Sequence, residues 1–236
     1  MIEVDGLNAG YGKLHILYDV DFRVGDNEMV TVLGPNGSGK STLLKTIMGL
    51  TTIYSGRILF DGKDITKLRP DEKAKIGIAY LPQVGSVFTN LSVRENMIMA
   101  GLTVGKDEFN DRLEYSLSMF PFLKGCLDRK VKTLSGGERQ MLAMAMALMR
   151  KPKILMFDEP TGNLAPKIAM DVFNKIIELK DQLGIAILLV EQNVKRALEI
   201  SDRAYLLVSG RIVFEGESKE LLNHPELGKM YLGLKR

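Results

Sequence analysis

The chain has 236 residues, 45% of them apolar and 26% charged, which is the composition of an ordinary globular protein with a large core. Its 32 basic and 29 acidic residues are interspersed and leave a formal net charge of +3, so the charge does not call for a nucleic acid partner. The sequence predicts no secretory signal, no apolar run approaches the roughly 18 residues that span a bilayer, and a single cysteine excludes an internal disulfide and fits a reducing cytosol.

The predicted elements begin with short strands and continue as strands that alternate with helices. The alternating part indicates a mostly parallel sheet, and the short strands before it indicate an antiparallel β-subdomain. The predicted strands are residues 2–8, 16–24, 29–33, 57–60, 76–81, 153–157, 185–190, 204–208 and 211–214, with a short helical tail after them.

Strand patterns are absent between about residues 83 and 150, where helical patterns replace them. Ser92 and Glu95 form a capping box for a helix through Met99, and residues 107–119 are amphipathic. Residues 141–149 are apolar nearly all round, which favours a buried helix over a methionine-lined binding surface. The chain is therefore predicted to be one α/β domain, with a core of residues 1–83 and 151–236 and a helical subdomain at about 84–150.

A phosphate-binding loop is predicted between the apolar run 29–33 and a helix over residues 40–50. Gly34, Gly39, Lys40 and Ser41 fit the pattern of such loops, in which backbone N–H groups wrap the phosphates, the lysine reaches the β- and γ-phosphates and the hydroxyl holds Mg²⁺. The flanking strand and helix make a simple glycine-rich turn the weaker interpretation. The predicted nucleotide-binding residues of the loop are Gly34, Pro35, Asn36, Gly37, Ser38, Gly39, Lys40, Ser41 and Thr42.

Two carboxylates follow the apolar residues 154–157. Adjacent strand residues point to opposite sides, so Asp158 is expected to bind Mg²⁺ through its water shell and Glu159 to act as general base on the attacking water. A solvated strand end is the usual reading of an Asp-Glu pair, but it is improbable beside a phosphate loop. With two histidines and one cysteine in the chain, Mg²⁺ is expected to arrive with ATP rather than at a separate metal cluster.

A second glycine-rich motif precedes the helix that ends near Arg150. Ser135 and Glu138 form a capping box, and the bare amides of Gly136 and Gly137 make the same helix start a potential anion site. The capping box and the anion site require the same geometry at the start of the helix, so both interpretations can be true. The residues predicted to contact nucleotide here are Ser135, Gly136, Gly137 and Glu138.

Together these motifs resemble the ATP-binding-cassette family over essentially the whole chain. The sequence Leu-Ser-Gly-Gly-Glu at 134–138, followed by Gln140 and then the Asp-Glu strand, closely resembles the family's signature motif. The resemblance implies a head-to-tail dimer in which the signature of one subunit covers ATP on the phosphate loop of the other. It also implies that Tyr11 stacks on adenine, against the simpler reading of a packing tyrosine, and that Gln83 contacts Mg²⁺ and the attacking water.

Two positions depart from the family pattern. Ala165 stands where most members carry aspartate in a loop at the dimer interface, and Gln192 replaces the histidine that usually follows Val-Glu. A glutamine amide can donate a hydrogen bond to the γ-phosphate but cannot become cationic. Gln192 is therefore a catalytic candidate that implies either slower turnover or an unlike partner, and both a homodimer and a heterodimer stay open.

Within the family, residues 164–166, 190–193 and 231–233 most resemble the ATPase subunits of branched-chain amino-acid importers. A lipopolysaccharide-export ATPase is the first alternative, because residues 81–83 and 91–93 are similar to that group. Residues 161–164 resemble lipoprotein-release and macrolide-export ATPases less well. A soluble nucleotide-binding regulator is the alternative from a different class.

Transport implies a membrane partner that the cassette serves from the cytoplasm. The family receives a helix of its transmembrane permease in the segment corresponding to residues 84–100. The expected location is therefore the inner face of the cell membrane, as a peripheral subunit. The substrate is chosen by the permease and an external binding protein, so the sequence does not name it.

Overall fold

The computed structural model describes residues 1–224 and contains ten strands and eight α-helices within that range. The strands are β1 Ile2–Tyr11, β2 Leu14–Val24, β3 Met29–Leu33, β4 Thr52–Phe60, β5 Lys63–Asp64, β6 Ile78–Leu81, β7 Ile154–Asp158, β8 Ala186–Val190, β9 Arg203–Val208 and β10 Arg211–Glu217. The helices are α1 Lys40–Met48, α2 Pro70–Lys75, α3 Val93–Gly101, α4 Lys106–Met119, α5 Gly136–Leu148, α6 Pro166–Leu183, α7 Val194–Ile200 and α8 Ser218–Asn223. Residues 231–233, which carry part of the importer resemblance, and the end of the predicted helical tail lie outside the described residues.

The central sheet has six strands in the order β10-β9-β3-β8-β7-β6, and every neighbouring pair except β10 with β9 is parallel. All residues of β3, β7 and β8 are buried, as expected for parallel strands covered on both faces. The predicted α/β fold is confirmed. Because the strands are parallel, the carboxyl ends of β3, β6, β7 and β8 meet at one edge of the sheet, where ligands of such folds bind.

The second sheet is antiparallel and has the order β2-β1-β4-β5. Strand β4 begins at Thr52, five residues before the predicted start, because its first half is mostly exposed and lacks an apolar pattern. It crosses β1 closely at Gly56, where φ is 88° and an added Cβ would lie 2.5 Å from the carbonyl oxygen of Gly6. Long-range pairing with β1 therefore extends this strand beyond what its own residues indicate.

Helix α2 was not predicted, and it shortens the strand that follows it. Pro70 occupies the first turn, and the Glu72 carboxylate accepts a hydrogen bond from the backbone N–H of Arg69 at 2.8 Å. Ile76 ends this helix and Gly77 turns the chain at φ 107°, so β6 begins at Ile78 rather than at residue 76. Pro70 and Glu72 are the local features of the sequence that could have indicated the start of this helix.

Helix α1 ends earlier than predicted, at Met48, because Gly49 adopts a left-handed conformation with φ 83° and caps it. The ammonium group of Lys73 on α2 is fully buried and donates a hydrogen bond to the carbonyl oxygen of Ile47 at 2.8 Å. Burial lowers the pKa of Lys73 to about 8. A cation at the carboxyl end of α1 also opposes the partial negative charge of the helix terminus.

Between β6 and β7 the described chain contains α3, α4, α5 and two short 3-10 helices, Pro121–Cys126 and Val131–Thr133, with only an isolated bridge between Ser92 and Lys130. The absence of strand patterns is thus confirmed. Most residues of 141–149 are buried, which confirms the buried helix. The domain boundaries at 83 and 151 stay a prediction.

The core is divided by the six-stranded sheet. Met29 and Leu33 of β3 face the helices α3 to α7, whereas Val30 and Val32 face α1 and the antiparallel sheet. Each buried side chain of this size contributes roughly 1.5–3 kcal/mol relative to full exposure. No helix in residues 1–224 has the length and apolar character that crossing a bilayer takes.

Candidate active site

The phosphate loop joins the carboxyl end of β3 to α1. Gly34 has no room for a side chain, since a Cβ would lie 2.0 Å from the carbonyl oxygen of Leu207. The N-cap of α1 is Gly39 with φ 107°, and no side chain caps the first turn. The uncapped N–H groups and the helix dipole make this turn suited to an anion.

Lys40 lies across its own loop. Its ammonium group donates hydrogen bonds to the carbonyl oxygens of Gly34 at 2.9 Å and Pro35 at 3.0 Å. Burial lowers the pKa of Lys40, while the nearby charges of Glu159 and Asp158 act in the opposite direction. The lysine is therefore held where a phosphate can replace the two carbonyl contacts.

The remaining predicted loop residues line the same turn. Pro35, Asn36 and Gly37 are exposed, whereas Ser38 and Thr42 are buried. The Ser38 hydroxyl is buried without a hydrogen-bond partner in the described chain. Such an orphaned hydroxyl costs free energy unless a ligand or water supplies a partner.

Asp158, the last residue of β7, is 3% exposed and has a donor on each carboxylate oxygen. The Ser41 hydroxyl donates to Oδ1 at 2.7 Å and the Tyr80 hydroxyl donates to Oδ2 at 2.9 Å. The structure therefore brings Ser41 and Asp158, both predicted to act on Mg²⁺, into direct contact. Tyr80 belongs to none of the sequence motifs and was not predicted at this site.

Glu159 lies beyond β7, in a left-handed conformation with φ 52°. The predicted alternation of Asp158 and Glu159 along a strand is wrong, because β7 ends at Asp158 and Glu159 has a left-handed backbone. The Glu159 Oε2 atom accepts hydrogen bonds from the side-chain amides of Gln83 at 2.8 Å and Gln192 at 2.7 Å. The three predicted catalytic residues are thus assembled around one carboxylate, which is only 8% exposed.

Glu191, a further buried carboxylate, joins the two loops that carry Glu159 and Gln192. Its Oε1 atom accepts bonds from the backbone N–H and hydroxyl of Thr161 at 2.9 and 2.8 Å, and its Oε2 atom accepts from the Gln192 backbone N–H at 3.0 Å. Burial raises the pKa of Glu191, although these bonds favour its ionised form. An acidic residue directly after a fully buried strand was the sign that could have found it.

The predicted capping box at the start of α5 is confirmed. The Ser135 hydroxyl accepts from the Glu138 N–H at 3.2 Å, and the Glu138 carboxylate accepts from the Ser135 N–H at 2.7 Å. These bonds lower the pKa of Glu138. Gly136 and Gly137 pack under Leu164 and Ile168, where added Cβ atoms would lie 2.7 and 2.4 Å from side-chain carbons. Within residues 1–224, no hydrogen bond or ion pair of residues 135–138 reaches the phosphate loop.

Tyr11 is the last residue of β1 and is 43% exposed, at the tip of the hairpin with β2. The Tyr54 hydroxyl lies 3.0 Å from the carbonyl oxygens of both Gly12 and Leu14 and ties this tip to β4. The tyrosine ring is therefore presented on an anchored hairpin rather than packed in the core.

A groove of about 370 Å³ lies along the outer edge of β6 and is lined by residues of this strand, of α3 and of α5. Its lining includes Leu81, Phe88, Met99, Met146, Ala147 and Arg150. Phe88 and Met99 are 52% and 39% exposed, and Val84 nearby is 79% exposed. Large apolar side chains grouped on a surface mark an interaction site.

The sequence profile described as ABC transporter matches residues 17–162, more than half of the chain. The chain belongs to the ABC transporter family. The predicted resemblance is confirmed, and so is the phosphate-loop fold: an ATP-binding cassette of an ABC transporter in its ADP conformation is 31% identical, with a TM-score of 0.85 over 97% of each chain.

Four relatives of this ABC transporter subunit bear on its branch. The probable branched-chain amino acid transport ATP-binding protein LivF of Archaeoglobus fulgidus is 55% identical over 99% of both chains. The high-affinity branched-chain amino acid transport ATP-binding protein BraG of Pseudomonas aeruginosa is 41% identical over 99% of this chain and 100% of its own. A lipopolysaccharide export system ATP-binding protein, LptB of Haemophilus influenzae, is 33% identical over 99% and 97%. The probable branched-chain amino acid transport ATP-binding protein LivG, also of Archaeoglobus fulgidus, is 29% identical over 99% of this chain and 95% of its own.

One solved relative is a dimer. It is an ATP-binding cassette in a post-hydrolysis state with bound ADP and phosphate, 26% identical over 92% of this chain and 99% of its own, with a TM-score of 0.78.

Proposed function

We propose that this chain is the ATP-hydrolysing subunit that drives a branched-chain amino acid importer. Membership of the ABC transporter family makes the chain an ATPase, and its cargo class follows from the relatives at 55% and 41% identity. The observation that carries the mechanism is the carboxylate of Glu159, held between Gln83 and Gln192 at the carboxyl edge of the sheet.

The proposed reaction uses side chains that already face one another. ATP places its phosphates on the uncapped turn of α1, where Lys40 exchanges its two carbonyl partners for phosphate oxygens. The water attacks the γ-phosphorus and gives a proton to Glu159, while the bond from that phosphorus to the bridging oxygen breaks and ADP and phosphate leave. The amides of Gln83 and Gln192 orient the carboxylate. Tyr11 stacks on the adenine from the exposed hairpin.

The residues present suit Mg²⁺. Ser41 Oγ and Asp158 Oδ1 lie 2.7 Å apart, and both are oxygen atoms that can ligate a metal ion. Mg²⁺ prefers one or two such protein ligands together with waters and phosphates. Bound there, the ion would neutralise charge on the phosphates. The Gln83 amide contacts Glu159 and not Asp158. We propose that Gln83 also contributes a ligand to Mg²⁺ when the nucleotide is bound.

The signature at residues 135–138 is proposed to serve a second subunit. It has its own cap and, within residues 1–224, no polar contact to the phosphate loop of the same chain, which is the arrangement that a head-to-tail dimer requires. The dimeric relative with ADP and phosphate supports this role.

We infer that the second subunit is an unlike ATPase. Gln192 cannot take up a proton as the usual histidine can. Archaeoglobus fulgidus has two probable branched-chain amino acid transport ATP-binding proteins related to this chain. LivF is 55% identical to it and LivG is 29% identical. A mixed dimer lets the partner supply a cationic switch.

The membrane partner is proposed to dock in the groove along β6. Its apolar lining and the exposed Val84 and Phe88 suit a helix of the permease, and β6 leads directly to Gln83. Docking there would hold the subunit at the inner face of the membrane.

Export of lipopolysaccharide is the alternative, supported by the relative at 33% identity. The two proposals differ in their partners. Purifying the chain with its attached subunits from the native membrane, then measuring uptake of labelled leucine, isoleucine and valine in proteoliposomes, separates them. We expect ATP-dependent uptake that Glu159→Gln abolishes. Isolation with lipopolysaccharide-export components, or no membrane partner at all, would overturn the importer proposal.

A further inference from the structure

Tyr80 is the one side chain at the proposed metal site for which the sequence motifs provide no role. It lies on β6, three residues before Gln83, and its hydroxyl donates a hydrogen bond to Asp158 Oδ2 at 2.9 Å. Ser41 occupies the other oxygen, Oδ1, at 2.7 Å. The two donors hold the carboxylate from opposite sides.

The chemistry of the phenol suits this contact. A tyrosine hydroxyl has one O–H donor, whereas an ionised carboxylate can only accept, so the hydrogen bond runs from the phenol to Asp158.

Asp158 needs such a partner because the terminal torsion of a carboxylate has a broad energy minimum and rotates easily. A carboxylate that must face a metal ion is commonly fixed by a hydrogen bond from outside the metal shell, and loss of such a bond typically lowers metal affinity 10- to 100-fold.

We propose that Tyr80 is a positioning residue for the metal-binding carboxylate, holding Asp158 so that Oδ1 stays directed at Ser41. This inference rests on the proposed function, in which Ser41 and Asp158 hold Mg²⁺. In this inference Tyr80 acts through Asp158 and not on the metal or the nucleotide, and it sets the orientation of the carboxylate that is proposed to hold Mg²⁺.

A purely structural role would have a different consequence. If the Tyr80 hydroxyl only satisfied a buried polar group, its removal would lower the free energy of unfolding and leave metal binding unchanged. Tyr205 provides the control, because its hydroxyl likewise donates to a carboxylate, that of Glu215, at 2.9 Å, although Tyr205 is fully buried and Tyr80 is half-buried. Its hydroxyl lies among Arg23 and Arg203, at the end of β9 away from the site.

The test compares Tyr80→Phe with Tyr205→Phe. The affinity for a non-hydrolysable ATP analogue is measured in EDTA and in excess Mn²⁺, and the ratio of the two dissociation constants reports the contribution of the metal. We expect Tyr80→Phe to reduce this ratio about tenfold or more without changing the affinity in EDTA, and Tyr205→Phe to leave both unchanged. Thermal unfolding of each variant reports stability separately.

An unaltered ratio in Tyr80→Phe would overturn the inference, whatever its effect on stability. An equal loss of the ratio in Tyr205→Phe would also overturn it, since the effect would then be a general one. If the unsubstituted protein shows no metal dependence at all, the proposed ATP site fails and the inference fails with it, so the two failures are distinguishable.

Discussion

The amino ends of α1 and α5 both carry glycines and both can present backbone N–H groups to an anion, yet their surroundings are opposite. The first turn of α1 has no side-chain cap, and Lys40 and Asp158 lie beside it in the same chain. The first turn of α5 is closed by the Ser135–Glu138 box, and Ser135 is exposed. An uncapped turn with a lysine beside it can hold phosphate by itself, whereas a capped turn contributes when a second surface brings the anion to it.

The largest expected effect tests whether the two turns meet across a dimer. Glu159→Gln keeps the shape of the side chain but cannot accept a proton, so ATP hydrolysis is expected to fall by about a hundredfold or more while ATP binding persists. The ATP-bound variant should then accumulate as a dimer, detected by light scattering. Glu178→Gln on α6, whose carboxylate pairs with Lys175, is the control and should hydrolyse normally. Unchanged hydrolysis in Glu159→Gln would exclude Glu159 as the base.

Lys40→Ala sharpens the α1 side of the comparison. Loss of the charge-assisted contacts to phosphate should weaken ATP binding by about 1.5–3 kcal/mol, or roughly 10- to 160-fold. A titration with a fluorescent ATP analogue measures this. Lys45→Ala, in the last turn of the same helix, is the matched control and should bind as the unsubstituted protein does. Equal affinities for the Lys40 and Lys45 variants would mean that the nucleotide lies elsewhere.

Gln192→Ala tests whether the dimer is mixed. In the complete transporter at saturating ATP we expect the ATPase rate to fall less than tenfold, or under about 1.4 kcal/mol of barrier, because the partner's cationic switch carries most of the turnover. Alanine at the partner's switch should cost much more. Equal losses at the two positions, or a native complex with this ATPase alone, contradict the mixed dimer.

The smallest expected effect is that of Ser135→Ala, which changes stability and tests the α5 side of the comparison alone. Loss of the cap should lower the free energy of unfolding by about 1 kcal/mol without changing ATP binding by the monomer. In the Glu159→Gln background it should weaken the ATP-bound dimer. Ser92→Ala is the control, because Ser92 and Glu95 form the same type of capping box at the start of α3. This variant should lose a similar amount of stability without affecting the dimer. Equal dimer affinities in the two variants would argue against the signature role.

The capping box also makes a contribution to stability that depends on pH. The pKa of Glu138 is lowered in the folded state from an ordinary value of 4.5, chiefly by the hydrogen bond from the Ser135 backbone N–H, so its contribution is fully present above that value and is lost as the pH falls through the folded pKa. The difference in unfolding free energy between the unsubstituted protein and Glu138→Gln, whose side chain does not titrate, should therefore shrink as the pH falls below 4.5. Chemical denaturation across that range measures it.

Local patterns were sufficient for much of the fold and site. The apolar runs of β3, β7 and β8, the caps at Ser92 and Ser135 and the phosphate loop each depend on residues within a few positions of one another, so they were predicted with small errors at their ends. Elements without their own pattern were missed or shortened. The exposed first half of β4 forms because it pairs with β1, and α2 is too short to show a helical period.

The sequence by itself singled out the residues that are proposed to carry the chemistry, because each motif is contiguous and its geometry is local: the phosphate loop, the carboxylates at the end of β7 and the glycines of the signature. Tertiary structure decided how the motifs meet. Only the strand order β3-β8-β7-β6 places Gln83 and Gln192 on the same oxygen of Glu159, and Tyr80 on Asp158. Those contacts join residues separated by 33 to 78 positions. Contacts over such separations follow from how crossovers stack the strands, which no local pattern encodes.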